Sequence, residues 1–142
     1  MSSQLIIDGA RGWIGTPYQH QASVRGVGCD CLGLVRGVWR DLYGPEPEVT
    51  PPYAMDWAMG GFEELMRDAC RRNLVEIAIG DAGPGDVLLF RMVRRAPARH
   101  AAIVCGEGRI IHAYSGHAVR EEAIGGWGRR VAYAFRFPEI KG

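Results

Sequence analysis

Three side chains in this sequence could carry acyl-transfer chemistry: Cys31, His100 and His112. A thiol becomes a strong nucleophile once it loses its proton, and imidazole titrates close enough to neutrality to take that proton. Cys31 follows Gly28-Cys29-Asp30 and opens a run in which Leu34, Val35, Val38, Trp39 and Leu42 recur at helical spacing, up to Gly44-Pro45. That spacing predicts a helix over 31–43 with Asp30 as its N-cap. Cys31 then lies in the first turn. Unpaired backbone N–H groups and the helix dipole favour a thiolate there, so its pKa is expected below the free value of about 8.5. Cysteine is also among the most buried residue types, so position alone leaves an inert core thiol as the competing reading.

The base and its partner follow from a hairpin. His100 to Cys105 and Arg109 to Tyr114 flank Gly106-Glu107-Gly108. Taken as a three-residue loop, this sets Cys105 opposite Arg109 and Ala102 opposite His112. His100 and Ala102 share a face because strand side chains alternate. The two histidines therefore project from one face, diagonally related and about 7–8 Å apart at the backbone. A two-residue loop would put them on opposite faces. The other face, with Ala101, Ile103, Cys105, Ile111 and Ala113, is apolar or small and belongs to the core. Two histidines on a buried face also fit satisfied core residues.

These residues need elements to hold them. Gln4 to Gly15 reads as a first helix and 62–73, with Cys70 on its apolar side, as a third. Residues 18–28 read as a loop. The stretch 44–59, with four prolines, Tyr53 and Trp57, is irregular and serves either as a binding loop or as a strap over the core. From residue 75 the texture changes to short strands: 75–79, 86–92, 100–105, 109–114, 118–122 and 131–137. Helices first and antiparallel strands second imply an α+β fold, with helices packed on a sheet of about five or six strands. The 142 residues suit one domain, 1–142. Net charge is +1, which implies no attraction to nucleic acid or anionic membrane. There is no run of about 20 apolar residues for a membrane span and no signal-peptide pattern, so cytoplasmic synthesis is expected. The four cysteines are expected reduced, and His20 and His117 are expected at the surface. Four arginines between Arg91 and Arg99 form a solvated connection or, as the weaker alternative, meet an acidic substrate.

In chain order the motifs are Gly15-Thr16-Pro17-Tyr18, Asp30-Cys31-Leu32-Gly33-Leu34-Val35, Gly85-Asp86-Val87-Leu88-Leu89-Phe90, His100-Ala101-Ala102-Ile103-Val104 and Ile111-His112-Ala113. In this order they resemble the NlpC-type cell-wall cysteine peptidases, and most closely the short phage and gene-transfer-agent members. The resemblance implies a papain-like fold and a Cys-His-His triad. Cys31 matches the nucleophile, His100 the general base, His112 the residue orienting that base, and Tyr18 a tyrosine near the oxyanion. It implies hydrolysis of amide bonds in peptidoglycan stem peptides, often between D-γ-glutamyl and diaminopimelate residues, without metal or cofactor. A phage-like tail, or gene-transfer-agent tail proteins, would deliver the protein to the cell wall. Leu32 stands where serine is frequent. Cys29, beside the nucleophile, raises a redox-sensitive thiol pair.

Two other classes compete. A zinc module would use Cys29, Cys31 and the histidines, but ligands roughly 70 and 80 residues apart match tetrahedral zinc spacing poorly. A structural or peptidoglycan-binding tail component could keep the fold without the chemistry.

Overall fold

The computed structural model describes residues 2–49 and 64–139. Most of the proline-rich stretch 44–59, with Tyr53 and Trp57, lies outside the described residues, as does Phe62 at the start of the expected third helix. Helix α1 spans Ser2–Arg11, four residues shorter than the apolar spacing suggests. Gly15 takes φ +92°, a left-handed conformation that ends the turn, and frees Trp13 to bury against the next helix. Helix α2 spans Cys31–Tyr43 as expected. Asp30 caps it: Oδ1 accepts the Gly33 N–H at 2.7 Å and Oδ2 accepts the Gln21 N–H at 2.7 Å. One carboxylate thus fixes both where the helix begins and where the preceding segment runs.

That segment is more ordered than a loop. Strand β1 (Ser23–Val24) pairs antiparallel with β2 (Gly28–Cys29), and Tyr18 bridges Cys29. Two glycines on α2 let it approach closely. A Cβ on Gly33 would lie 2.0 Å from the Ala22 carbonyl oxygen, and one on Gly37 2.0 Å from the Trp13 ring.

Helix α3 (Leu65–Asn73) leads into a six-stranded sheet of β3 (Val75–Ile77), β4 (Asp86–Phe90), β5 (His100–Gly106), β6 (Arg109–His112), β7 (Arg120–Ala123) and β8 (Val131–Arg136). Its order is β3-β8-β4-β5-β6-β7, antiparallel throughout. The α+β arrangement is the expected one, with α1 and α2 on the face of β5 that carries Ala101, Ile103 and Cys105. The opposite face, with Phe90, Ala102, Val104 and Ile110, has its own apolar cluster partly covered by Trp127.

The β5–β6 connection differs from the expected one. Gly106 pairs with Arg109, so the turn is two residues, Glu107-Gly108, rather than three. By itself that turn would separate the histidines. Cys105 is an extra residue between the Val104–Ile110 and Gly106–Arg109 pairs, and this β-bulge shifts the register back by one. Ile103 pairs with Ile111, and His100 and His112 keep a common face.

Candidate active site

Cys31 opens α2, and α2 packs on β5 through Leu34, Val35 and Val38. This docking brings the sulfur to the start of β5. Cys31 Sγ lies 3.8 Å from the Arg99 carbonyl oxygen and accepts the Ala101 N–H. The thiol therefore sits against the backbone on both sides of His100. The expected lowering of its pKa does not hold. Burial of the sulfur, then the charge of Asp30, push the thiol up to about 12; N–H groups of Ala101, Leu32 and Cys31 pull the other way. The physical reason is one of size. A helix terminus contributes about 0.3–1 kcal/mol, whereas burying an ionised group costs several kcal/mol.

The half-buried Tyr18 borders the same spot. Its hydroxyl is pushed up to about 12 by burial, then by Cys31 and Asp30, so it remains a hydrogen-bond donor across the neutral range.

The two imidazoles meet. His100 Nε2 lies 2.8 Å from His112 Nδ1, and His112 Nε2 lies 2.5 Å from Glu122 Oε2. His100 is 5% exposed and His112 1%. Burial, then the neighbouring His112 and Arg99, lower the His100 pKa; burial also lowers that of His112, against an upward pull from Glu122. The bond from His112, ahead of the contribution of Arg120, holds the Glu122 carboxyl below its usual range. At neutral pH this means a carboxylate beside two neutral rings. A carboxylate only accepts, so the His112 proton is on Nε2. His112 Nδ1 is then an acceptor, and the proton of His100 is on Nε2. The bare nitrogen of His100 is Nδ1.

Aromatic rings enclose the pair. Trp127 stacks on His100 with centroids 4.8 Å apart and meets His112 edge-on at 5.3 Å. Phe90 and Tyr114 each lie 5.6 Å from His100. Glu122 and Trp127 are the residues that sequence reasoning misses. Glu122 belongs to an expected strand, but its contact with His112 depends on the β6–β7 register, in which His112 pairs with Arg120. Trp127 sits in a short 3-10 helix, Gly125–Arg130, that carries no periodic signal.

The remaining candidates lie apart from this chain of bonds. Cys29, Cys70 and Cys105 are buried with the core, and all four thiols are free. His117 is exposed and stacks on Tyr114, while the His20 side chain is 27% exposed, with Nδ1 3.9 Å from Asp30 Oδ2. Among the described residues no helix is long and apolar enough to cross a membrane, and no group of three or more His, Cys, Asp or Glu could hold a metal ion.

The NlpC/P60 family model matches residues 15–136. The chain belongs to the NlpC/P60 family. It is 29% identical over 110 residues to the gamma-DL-glutamyl hydrolase of Bacillus subtilis strain 168, covering 76% of this chain but only 22% of that protein. The NlpC/p60 domain of the peptidoglycan hydrolase SagA superposes with a TM-score of 0.68 at 23% identity, over 96% of this chain and all of that one. The peptidoglycan hydrolase RipB of Mycobacterium tuberculosis gives 0.65 at 18% identity, over 97% of this chain and 65% of that one. At these identities the structural likeness is one of fold.

Proposed function

We propose that this protein is a cysteine hydrolase of peptidoglycan stem peptides, with Cys31 as nucleophile, His100 as base and His112 as its orienting partner. The observation that carries the reading is the bond series Glu122–His112–His100 beside a thiol set against the residues flanking His100. It leaves Nδ1 of His100 as the atom to receive the thiol proton. Burial disfavours both charged forms, so the resting pair is a neutral thiol and a neutral imidazole rather than a preformed ion pair.

Attack on the stem-peptide carbonyl forms the C–S bond while the thiol proton passes to His100 Nδ1. The Cys31 backbone N–H, which has no intrahelical partner, and the Tyr18 hydroxyl hold the oxyanion; such donors are worth about 3 kcal/mol each. The imidazolium gives its proton to the leaving amine as the C–N bond breaks. Water, deprotonated by His100, then cleaves the thioester and restores the thiol. Glu122 and His112 oppose the positive charge that appears on His100 midway.

The D-γ-glutamyl–diaminopimelate bond is the proposed target. Membership of the family and the peptidoglycan hydrolases SagA and RipB support the substrate class, and the gamma-DL-glutamyl hydrolase supports a γ-linked glutamyl bond. Digestion of purified sacculi tests this. Wild type is expected to release new diaminopimelate amino termini and Cys31→Ala none. Equal release by both, or none by either, would leave a wall-binding protein with this fold as the better account. Delivery by a phage-like tail rests on the motif resemblance to short phage and gene-transfer-agent members. It predicts the protein in purified tail particles, and its absence from them removes that part.

A further inference from the structure

Arginine is the dominant cation of this chain, and most of its guanidinium groups are neutralised. Ion pairs with Asp or Glu run from Arg11–Glu121 to Arg136–Asp86. Even Arg91, in the arginine-rich stretch singled out above, is spent internally: it bonds Glu64, the Ala96 carbonyl and the Tyr133 hydroxyl. Among the described residues, Arg94, Arg95, Arg99, Arg129 and Arg130 have no carboxylate partner.

These exceptions are not scattered. Arg94, Arg129 and Arg130 line one open pocket of about 820 Å³, together with Met92, Tyr114, Gly126 and Trp127. No acidic side chain lines it. Arg130 Nη1 donates to the Met92 carbonyl at 2.8 Å and the Arg91 N–H to the Arg130 carbonyl at 2.8 Å, so the two walls are fastened together. Arg94 and Arg129 are exposed and make no hydrogen bond with the described residues. Trp127 and Tyr114 are shared: the rings that enclose His100 and His112 also form the pocket wall.

We infer that this pocket binds a carboxylate on the leaving-amine half of the substrate. The inference rests on the hydrolase reading above and deepens it. His100 protonates the leaving amine, so that half of the substrate lies over the imidazoles, on the side where the pocket opens. Unpaired guanidinium groups bind carboxylates through charge-assisted, often bidentate, hydrogen bonds, and Tyr114 and Trp127 offer apolar area to the carbon chain. A diaminopimelate leaving group has a carboxylate at its far end; a lysine in the same place does not.

The test compares L-Ala-γ-D-Glu-diaminopimelate with L-Ala-γ-D-Glu-L-Lys. Wild type is expected to favour the first by about tenfold in kcat/KM, the scale of one charge-assisted contact. The double variant R94Q/R129Q brings that ratio towards one. R95Q, which removes one charge from an exposed arginine outside the pocket lining, keeps the ratio. A ratio unchanged by R94Q/R129Q, or no preference in wild type, overturns the inference while leaving hydrolysis standing. If wild type cleaves neither peptide, the hydrolase reading fails instead. Calorimetry with Cys31→Ala protein then judges the pocket: tighter binding of the diaminopimelate peptide, lost on adding R94Q/R129Q, supports it, and equal or absent binding overturns it.

Discussion

Glu122 decides where the protons sit in the imidazole pair, so replacing it separates orientation from nucleophilicity. Glu122→Ala leaves Cys31 and both histidines present but frees His112 to place its proton on Nδ1, where it would oppose the His100 N–H. The expected result is a fall of about tenfold or more in kcat with KM little changed, read by steady-state kinetics on a stem tripeptide. Titration gives a second prediction at this scale. His100 is neutral in the folded protein down to a pH well below its unfolded value of about 6.5. Above that value both states carry a neutral ring. Below it the unfolded chain takes up a proton that the folded chain refuses, so stability falls with falling pH. Urea midpoints measured from pH 7 to pH 5 should drop, and His100→Gln should flatten the slope. Cys31 behaves in the opposite direction: its thiolate is favoured in the unfolded chain, so this site costs stability as pH rises past about 8.5. Slow alkylation of Cys31 at neutral pH, rising steeply with urea, would check that burial rather than the helix dipole controls the sulfur.

At the scale of elements, the docking of α2 rests on the absence of two methyl groups. Gly33→Ala would meet the Ala22 carbonyl, and Gly37→Ala the Trp13 ring. Alanine normally gains about 1 kcal/mol over glycine inside a helix. Backbone and a buried indole cannot yield cheaply at 2.0 Å, and overpacking costs about 1–3 kcal/mol, so both variants should lower the urea midpoint. Gly33→Ala should also slow catalysis, because it moves the segment that Asp30 ties to the start of the helix. What the sequence makes legible is greatest here. The apolar spacing and the Asp30 cap place α2 correctly because both signals are local. The common face of His100 and His112 is also legible, but through a wrong turn: a two-residue turn with a bulge at Cys105 has the same effect as the three-residue loop. A bulge leaves no mark in an alternating pattern, so periodicity cannot tell the two apart. The ribbon β1–β2 escapes for a related reason. Two-residue strands have no period, and what holds this one to α2, Ser23 Oγ donating to the Gly33 carbonyl, is a tertiary contact.

Over the molecule as a whole, a net charge of +1 conceals an uneven arrangement. Arginines elsewhere are paired with carboxylates, while those of 94–99 and 129–130 keep their charge towards solvent. Composition can report the total, but only the fold brings two segments some 30 residues apart in sequence into one basic wall. The expected consequence is ionic-strength dependence confined to anionic substrates. Raising salt from about 0.05 to 0.5 M should reduce kcat/KM for the diaminopimelate peptide several-fold and leave an amidated, uncharged analogue little affected, since exposed charges are screened beyond a few ångströms at high salt.

The indole lying flat on His100 gives this protein an internal lamp. When His100 accepts a proton, a cation comes to rest against the face of Trp127, and an excited indole loses its light readily to a nearby imidazolium. Emission from a variant retaining Trp127 as its one indole would therefore dim whenever the base is loaded, so the proton could be followed through acylation in real time without any added dye.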